Sequence, residues 1–318
     1  MAKLAAVTGA SGFVGPHLVA ALNRHGWTVR LLLRRWSPLP SLAGVAAEIV
    51  WGDLSDQGAL ARLVEGVDVV VHAAGLIKAR DPADFLAVNR DGTARLAALA
   101  PDARFLLLSS LAAREPGLSP YGASKRAAEE ALTGRAGPWL AVRAPAVYGP
   151  GDRETLAYFQ AAERGIGPSP MGTSKRGTAA RLSLIHVEDL AEALALALAL
   201  DQPLPPSVYE IDDGRTEGYS YADMADAAGQ ALGRRVTGLP IPRPVMAAVA
   251  WLNGMRQALG GQTQILTAGK VAELFHGDWV AHDRRLAAAT GFAARHDLRT
   301  GFRDTVLWYR AHGWLRNR

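Results

Sequence analysis

The chain has 318 residues, 49% of them hydrophobic and 20% charged, with a formal net charge of +5 and no cysteine. That balance fits a folded chain with a large core and excludes intrinsic disorder. The lack of cysteine excludes disulfides and thiolate metal sites and fits a reducing, cytoplasmic setting. No run reaches the roughly 18–20 apolar residues that span a bilayer, and the longest candidate, Leu190–Leu200, contains Glu192. Met1-Ala2-Lys3 leads straight into an apolar run, so no signal peptide is expected. Arginines are scattered along the chain, which reads as solvated faces and argues against nucleic-acid binding.

Strand-like and helix-like segments alternate through the first half. Apolar runs at Leu4–Thr8, Thr28–Leu33, Glu48–Trp51, Val67–Ala73, Phe105–Leu108 and Leu140–Val142 are separated by helical patterns. These lie around Val14–Arg24, Gln57–Val64, Pro82–Leu99 and Pro120–Leu132. Near-continuous apolar strands separated by helices predict an α/β fold, a doubly wound parallel sheet covered on both faces. Ligands of such sheets sit at the carboxyl ends of the strands.

The first strand runs into Gly9-Ala10-Ser11-Gly12-Phe13-Val14-Gly15, which opens a helix. Glycines there let the backbone turn tightly beside a pyrophosphate, and the helix start offers its N–H groups to the charge. A tight turn with close strand–helix packing would look the same. Arg34 and Arg35 follow the second strand, 19 and 20 residues beyond Gly15, with no acid before Glu48. An acid in this place holds the ribose 2′-hydroxyl of NAD, whereas arginine suits the 2′-phosphate of NADP.

The third strand ends in Gly52-Asp53-Leu54, where Asp53 can accept from an adenine amino group or cap a helix starting near Ser55. The fourth ends in His72-Ala73-Ala74-Gly75, small residues against which a flat cofactor can lie; His72 has no second ligand at metal-binding spacing. The fifth ends in Ser109-Ser110. Eleven residues after Ser110 comes Tyr121-Gly122-Ala123-Ser124-Lys125, with Tyr121 and Lys125 on one helical face. An ammonium beside a phenol favours the phenolate, so Tyr121 can exchange a proton with a carbonyl or alcohol whose oxygen a serine orients.

Taken together, this ordered set resembles the short-chain dehydrogenase/reductase superfamily, in particular its extended branch of NAD(P)-dependent epimerases, dehydratases and reductases. Thr8–Gly15 is similar to the branch's dinucleotide turn and Asp68–Gly75 to its fourth-strand motif, while Val88–Thr93 resembles the segment that carries an asparagine, here Asn89. Arg143–Asp152 resembles the exit of the sixth strand past the nicotinamide, and Leu184–Leu190 the segment where the chain rejoins the sheet. The resemblance implies that Tyr121 is the proton donor or acceptor, that Lys125 binds ribose and tunes it, and that Ser110 rather than Ser109 holds the substrate oxygen. It implies a cofactor site made of Gly9, Ser11, Gly12, Phe13, Val14, Gly15, Arg34, Arg35, Asp53, Leu54, Ala73, Ala74, Gly75, Asn89, Tyr121, Lys125, Pro145 and Val147, with NADP expected ahead of NAD and no metal. A homodimer through helices flanking the sheet is implied as well. Two departures stand out: the Ser110–Tyr121 interval is shorter than in sugar epimerases, and Leu111–Pro116 lacks the tyrosine and glycine usual after the serine.

The expected division puts residues 1–150 and about 182–212 in a dinucleotide-binding domain, and about 151–181 and 213–318 in a smaller substrate domain. Gly149–Arg181 reads as a substrate-side excursion with a helix near Glu154–Arg164, and Ala193–Leu200 as a buried helix. Val208–Ile211 reads as a returning strand, Ser220–Leu232 and Pro244–Leu259 as helices flanking a strand at Val236–Ile241, and Leu298–Leu315 as a terminal helix. The Pro244–Leu259 pattern is apolar over much of its surface and reads as a pocket wall or packing surface, with an interfacial role open. Three functions are consistent with these residues. The first is an NADP-dependent oxidoreductase acting on a small or moderately apolar carbonyl or alcohol, similar to 3β-hydroxysteroid dehydrogenase and dihydroflavonol reductase. The second is a nucleotide-sugar epimerase or dehydratase with bound NAD, in which Arg143, Arg176 or Arg181 pairs with a diphosphate. The third is a non-catalytic NADP-binding scaffold or assembly protein, which has no need of Ser110, Tyr121 and Lys125.

Overall fold

The apolar runs of the first half form parallel strands, and the helical patterns between them form the covering layers. The computed structural model describes residues 3–37, 45, 47–170, 179–258 and 266–316. In chain order come β1 (Lys3–Thr8), α1 (Val14–Arg24), β2 (Trp27–Leu33), β3 (Ala47–Trp51), α2 (Gln57–Val64) and β4 (Val69–His72). A helical stretch follows as α3 (Pro82–Phe85), a π turn (Leu86–Arg90) and α4 (Asp91–Leu99); then come β5 (Arg104–Ser110), α5 (Pro120–Glu130) and β6 (Trp139–Ala144). A strand at Ser207–Glu210 joins them, giving a seven-stranded sheet in the spatial order Ser207–Glu210, β6, β5, β4, β1, β2, β3. All its pairings are parallel.

Strand residues alternate between the two faces, so each face collects its own apolar set. On one side Ala6, Val70, Phe105 and Leu107 pack with Leu60, Leu63 and Leu96 from the helices and with Leu132 from the turn after α5. On the other, α1 lies beside the Val187–Ala199 helix, where Glu192 takes Arg24 at 2.9 Å and His25 at 2.7 Å. The alternating Ala and Leu of that helix are buried nearly all round, as expected of a helix inside a fold.

The chain divides into two compact units: Met1–Ala144 with Leu190–Ile211 and Asp283–Phe292, and Pro145–Asp189 with Asp212–His282 and Ala293–Arg318. Residues 283–292, expected in the second domain, fall in the first unit, where the Arg285–Thr290 helix packs on Ser207–Glu210. Residues 145–150 and 182–189 fall in the second unit, where the sequence pattern had put them in the first. The reason is local pairing. Ala146–Tyr148 and Leu184–His186 pair with each other as a separate two-stranded sheet, and only Ser207–Glu210 returns to the main one.

In the second unit, Ile166–Pro170 pairs with Thr237–Ile241 against the Tyr221–Leu232 helix. That helix is set by a capping box between Ser220 and Asp223 and stopped by Gly233 at φ +69°. The Leu298–Ala311 helix packs on Tyr148 and Phe159 through its own Phe302, whose ring meets theirs edge-on at 5.2 and 4.8 Å. Gly301 makes the approach feasible, because a Cβ there would lie 2.2 Å from the Tyr148 hydroxyl. Gly301→Val is therefore expected to destabilise by about 1–3 kcal/mol, the usual cost of overpacking a core; urea unfolding measures it, and an unchanged midpoint would refute the packing argument.

The middle of the sheet holds a buried polar tie. The Thr8 hydroxyl meets His72 Nδ1 at 2.7 Å, joining the ends of β1 and β4. Burial, helped by the charge of Lys125, pushes the His72 pKa down to about 3. His72 is thus neutral when folded and takes up a proton near pH 6.5 only on unfolding, so its contribution is full above about pH 6.5 and is lost as pH falls toward 3. Between pH 7 and 5 the wild type should lose about 1–2 kcal/mol more stability than His72→Gln, measured by urea titration at each pH; parallel losses would place the sensitivity elsewhere.

Candidate active site

The turn after β1 is shaped by what it touches. Gly9 has φ +81°, and a Cβ on it would lie 2.6 Å from the backbone of Ala73 and Ala74. A Cβ on Gly15 would lie 2.3 Å from the Gly9 carbonyl oxygen, so the first turn of α1 rests directly on the loop. Gly12 N–H closes the turn on Gly9 O at 3.0 Å. Helix α1 begins with no side-chain cap and no acid in its first turn, which leaves its positive end for an anion. Ser11, Phe13 and Val14 are half-buried around it. These features fit a dinucleotide pyrophosphate.

Arg34 and Arg35 stand exposed just past β2, with the Arg34 guanidinium 5.9 Å from the Trp36 ring. Asp53 is held below the usual carboxylate range, first by hydrogen bonds from Ser55 and least by the Arg34 charge. It does not cap the next helix. Asp56 does, accepting from Ala59 N at 2.9 Å, because α2 starts at Gln57 rather than near Ser55. Leu54 packs its side chain over Gly92 and takes Arg95 on its carbonyl, so it serves the core at least as much as any ligand.

The small residues after β4 lead to the proton-transfer candidates. Asn89 sits in the π turn, where the wider helical winding turns its buried amide toward the loop. Its Oδ1 accepts from Leu76 N at 2.8 Å, and its Nδ2 donates to Leu76 O at 3.1 Å and to Ser124 Oγ at 2.8 Å. Ser124 donates in turn to Tyr121 O at 2.8 Å. Helix α5 is started by Ser119, whose hydroxyl accepts from Gly122 N, and by Pro120 in its first turn. One turn past the half-buried Tyr121, Lys125 is 6% exposed and donates to Leu108 O at 2.6 Å. Burial lowers its pKa to about 8, against a smaller upward pull from Glu129. A Cβ on Gly75 would come within 3.0 Å of Asn89 Oδ1 and 3.8 Å of Lys125 Nζ, so Gly75, Asn89 and Lys125 meet at one place.

The paired serines at the end of β5 divide because strand neighbours face opposite ways. Ser109 is buried and donates to Glu129, whose carboxylate is also taken by Arg143 at 2.6–2.9 Å. Ser110 is half-exposed, and its hydroxyl accepts from Ala112 N at 3.2 Å at the start of a short helical turn. Arg143 is therefore committed to Glu129. Arg181 donates to the carbonyls of Glu217 and Gly218, and Arg176 lies outside the described residues. Pro145 and Val147 lie in the second unit, Val147 paired with Ile185.

Sequence reading missed Ser124, Thr93 and Glu129. Thr93 donates to Asn89 O at 2.6 Å and, like Ser124, lies inside a motif already singled out. Glu129 carried a signal too, standing one turn beyond Lys125 on the same helix.

Another cluster, His186, Glu188 and His296, brings its nitrogen and oxygen atoms within 4.8 Å of one another in the second unit. The two rings face each other with centroids 4.0 Å apart, His296 Nδ1 meets Asp189 at 3.0 Å, and Arg295 approaches Glu188 and Asp189 at 3.9 and 3.6 Å. The Asp189 contact raises the His296 pKa despite its burial. These charges balance one another and tie the start of the Val187–Ala199 helix to the loop before Leu298–Ala311.

Residues 5–212 match the NAD dependent epimerase/dehydratase family. The chain is 42% identical over 312 residues to the ceramide reductase of Caulobacter vibrioides, an alignment covering 98% of this chain and 95% of that protein. Its fold is similar to the crystal structure of gox2253, with a TM-score of 0.78 at 22% identity over 99% and 100% of the two chains. It is also similar to UDP-glucose 4-epimerase from Bifidobacterium longum in complex with NAD+ and UDP, with a TM-score of 0.73 at 18% identity over 98% and 99%. The chain belongs to the NAD dependent epimerase/dehydratase family, the extended branch of the short-chain dehydrogenase/reductase superfamily, and is an NAD(P)-dependent oxidoreductase or epimerase.

Proposed function

We propose that this protein is an NADPH-dependent reductase of a ketone on a long-chain, ceramide-like lipid. The observation that carries the reading is the presence of Ser110, Tyr121 and Lys125 in a chain 42% identical over 98% of its length to a ceramide reductase. In this reading the first unit holds the dinucleotide and the second confers substrate specificity. The uncapped start of α1 would take the pyrophosphate, Arg34 and Arg35 the 2′-phosphate, and Lys125 a ribose hydroxyl. The bound cofactor supplies a hydride to the carbonyl carbon.

The protein's own residues manage the oxygen. Tyr121 donates its phenolic proton as the carbonyl becomes an alcohol, and Ser110 donates a hydrogen bond to the same oxygen. With its pKa near 8, Lys125 is mostly charged at neutral pH and stabilises the phenolate left behind. Ser109 cannot take the Ser110 role, since its hydroxyl is spent on Glu129. The engagement of Arg143 and Arg181 leaves fewer partners for a nucleotide diphosphate, which favours a lipid carbonyl over a nucleotide sugar.

Tyr121→Phe should lower kcat for reduction of a ceramide-like ketone by about 10²–10⁴-fold while NADPH binding is retained; undiminished turnover would end the catalytic assignment. Arg34→Ala and Arg35→Ala should each weaken NADPH binding roughly tenfold and leave NADH nearly unaffected, because only the former carries the 2′-phosphate. Fluorescence titration reads both, and a wild-type preference for NADH would defeat the arginine argument.

A further inference from the structure

The Arg243–Ala258 helix is turned inside out. Its positions toward the protein are Met246, Ala250, Asn253 and Gln257, at helical spacing, and only Ala250 is fully buried. Two of the four are polar, and Asn253 Nδ2 donates to Leu266 O at 3.3 Å. The opposite side is apolar: Val245, Val249, Leu252 and Met255 are 43–52% exposed, and Trp251 on the flank is 64% exposed. A surface helix of a freely soluble domain places these two sets the other way round. An apolar stripe of this size rimmed by polar residues marks an interaction surface.

Charge identifies what it meets. Between Asp226 and Glu273 the sequence has no acidic residue, yet it holds Arg234, Arg235, Arg243, Arg256 and Lys270. Arg243 and Arg256 stand exposed at the two ends of the apolar stripe. An exposed tryptophan, a strip of aliphatic side chains and flanking arginines together suit a surface that is apolar below and anionic above. No helix among the described residues is long and apolar enough to cross a membrane, so contact would lie in the plane of the bilayer.

We propose that the Arg243–Ala258 helix docks this protein on an anionic lipid bilayer, with Trp251, Leu252 and Met255 entering the acyl boundary and Arg243 and Arg256 meeting lipid phosphates. The inference concerns binding alone and stands whether or not the reductase reading holds.

Flotation of the full-length protein with vesicles tests it. Wild type should float with vesicles of phosphatidylglycerol and phosphatidylcholine and remain largely unbound with phosphatidylcholine alone. Trp251→Glu combined with Leu252→Glu should lower the bound fraction roughly tenfold. Arg243→Glu combined with Arg256→Glu should bring binding on anionic vesicles down to the neutral level, with melting temperatures unchanged because all four side chains are exposed. Failure of wild type to float, or equal flotation of wild type and both variants, would overturn the proposal. So would a wild-type dimer in light scattering without lipid that the Trp251→Glu, Leu252→Glu variant abolishes, since the stripe would then be an interface between copies.

Discussion

The first unit depends on the close approach of the β1 exit to the β4 exit. Gly9 lies against the Ala73–Ala74 backbone with no room for a side chain, while Thr8 bonds His72 beside it and accepts from Ala74 N at 3.2 Å. Two adjacent parallel strands thereby end at one level. The loop after β1 leads to the uncapped helix start, and the loop after β4 leads to Gly75, Asn89 and Lys125. A wider gap would separate the uncapped start of α1 from the place where Gly75, Asn89 and Lys125 meet. The geometry at the carboxyl edge thus descends from a packing constraint between two short loops.

A second constraint fixes α5. Lys125 donates to the Leu108 carbonyl of β5, and Glu129, one turn on, receives Ser109 and Arg143 from β5 and β6. Two successive turns of one helix are therefore bonded to two strands. A buried carboxylate with both oxygens occupied tolerates little displacement, since losing a partner would leave charge unpaired in the interior. Tyr121, at the start of the same helix, takes its placement from this anchorage.

Much of this was legible in the sequence because it rests on local pattern. The six strands from β1 to β6 follow from near-continuous apolar runs, and α1 and α2 match their expected limits because their apolar residues recur at helical period. The glycine turn and the Tyr121–Lys125 pair were visible through fixed spacing. What escaped depends on distant partners. The Ile166–Pro170 strand contains two prolines and a glycine and has no strand-like pattern, and it exists through its pairing with Thr237–Ile241. The unit boundary shifted for the same reason, since nothing local announces that Leu184–His186 pairs with Ala146–Tyr148. Asp53 reads as a possible cap in the sequence, and only the actual start of α2 at Gln57 gives that role to Asp56.

The π turn at Leu86–Arg90 has a consequence for how this site persists through mutation. A π turn holds one residue more than an α turn, so the run from Pro82 to Leu99 contains a built-in surplus. Deleting Leu86, Ala87 or Val88 would let the segment relax into a regular helix, a conformation the backbone itself prefers. The same deletion would swing Asn89 by about 100° around the axis and part it from Leu76 and Ser124. Local helical stability and the position of Asn89 pull in opposite directions, so length in this segment is as strict a requirement as residue identity.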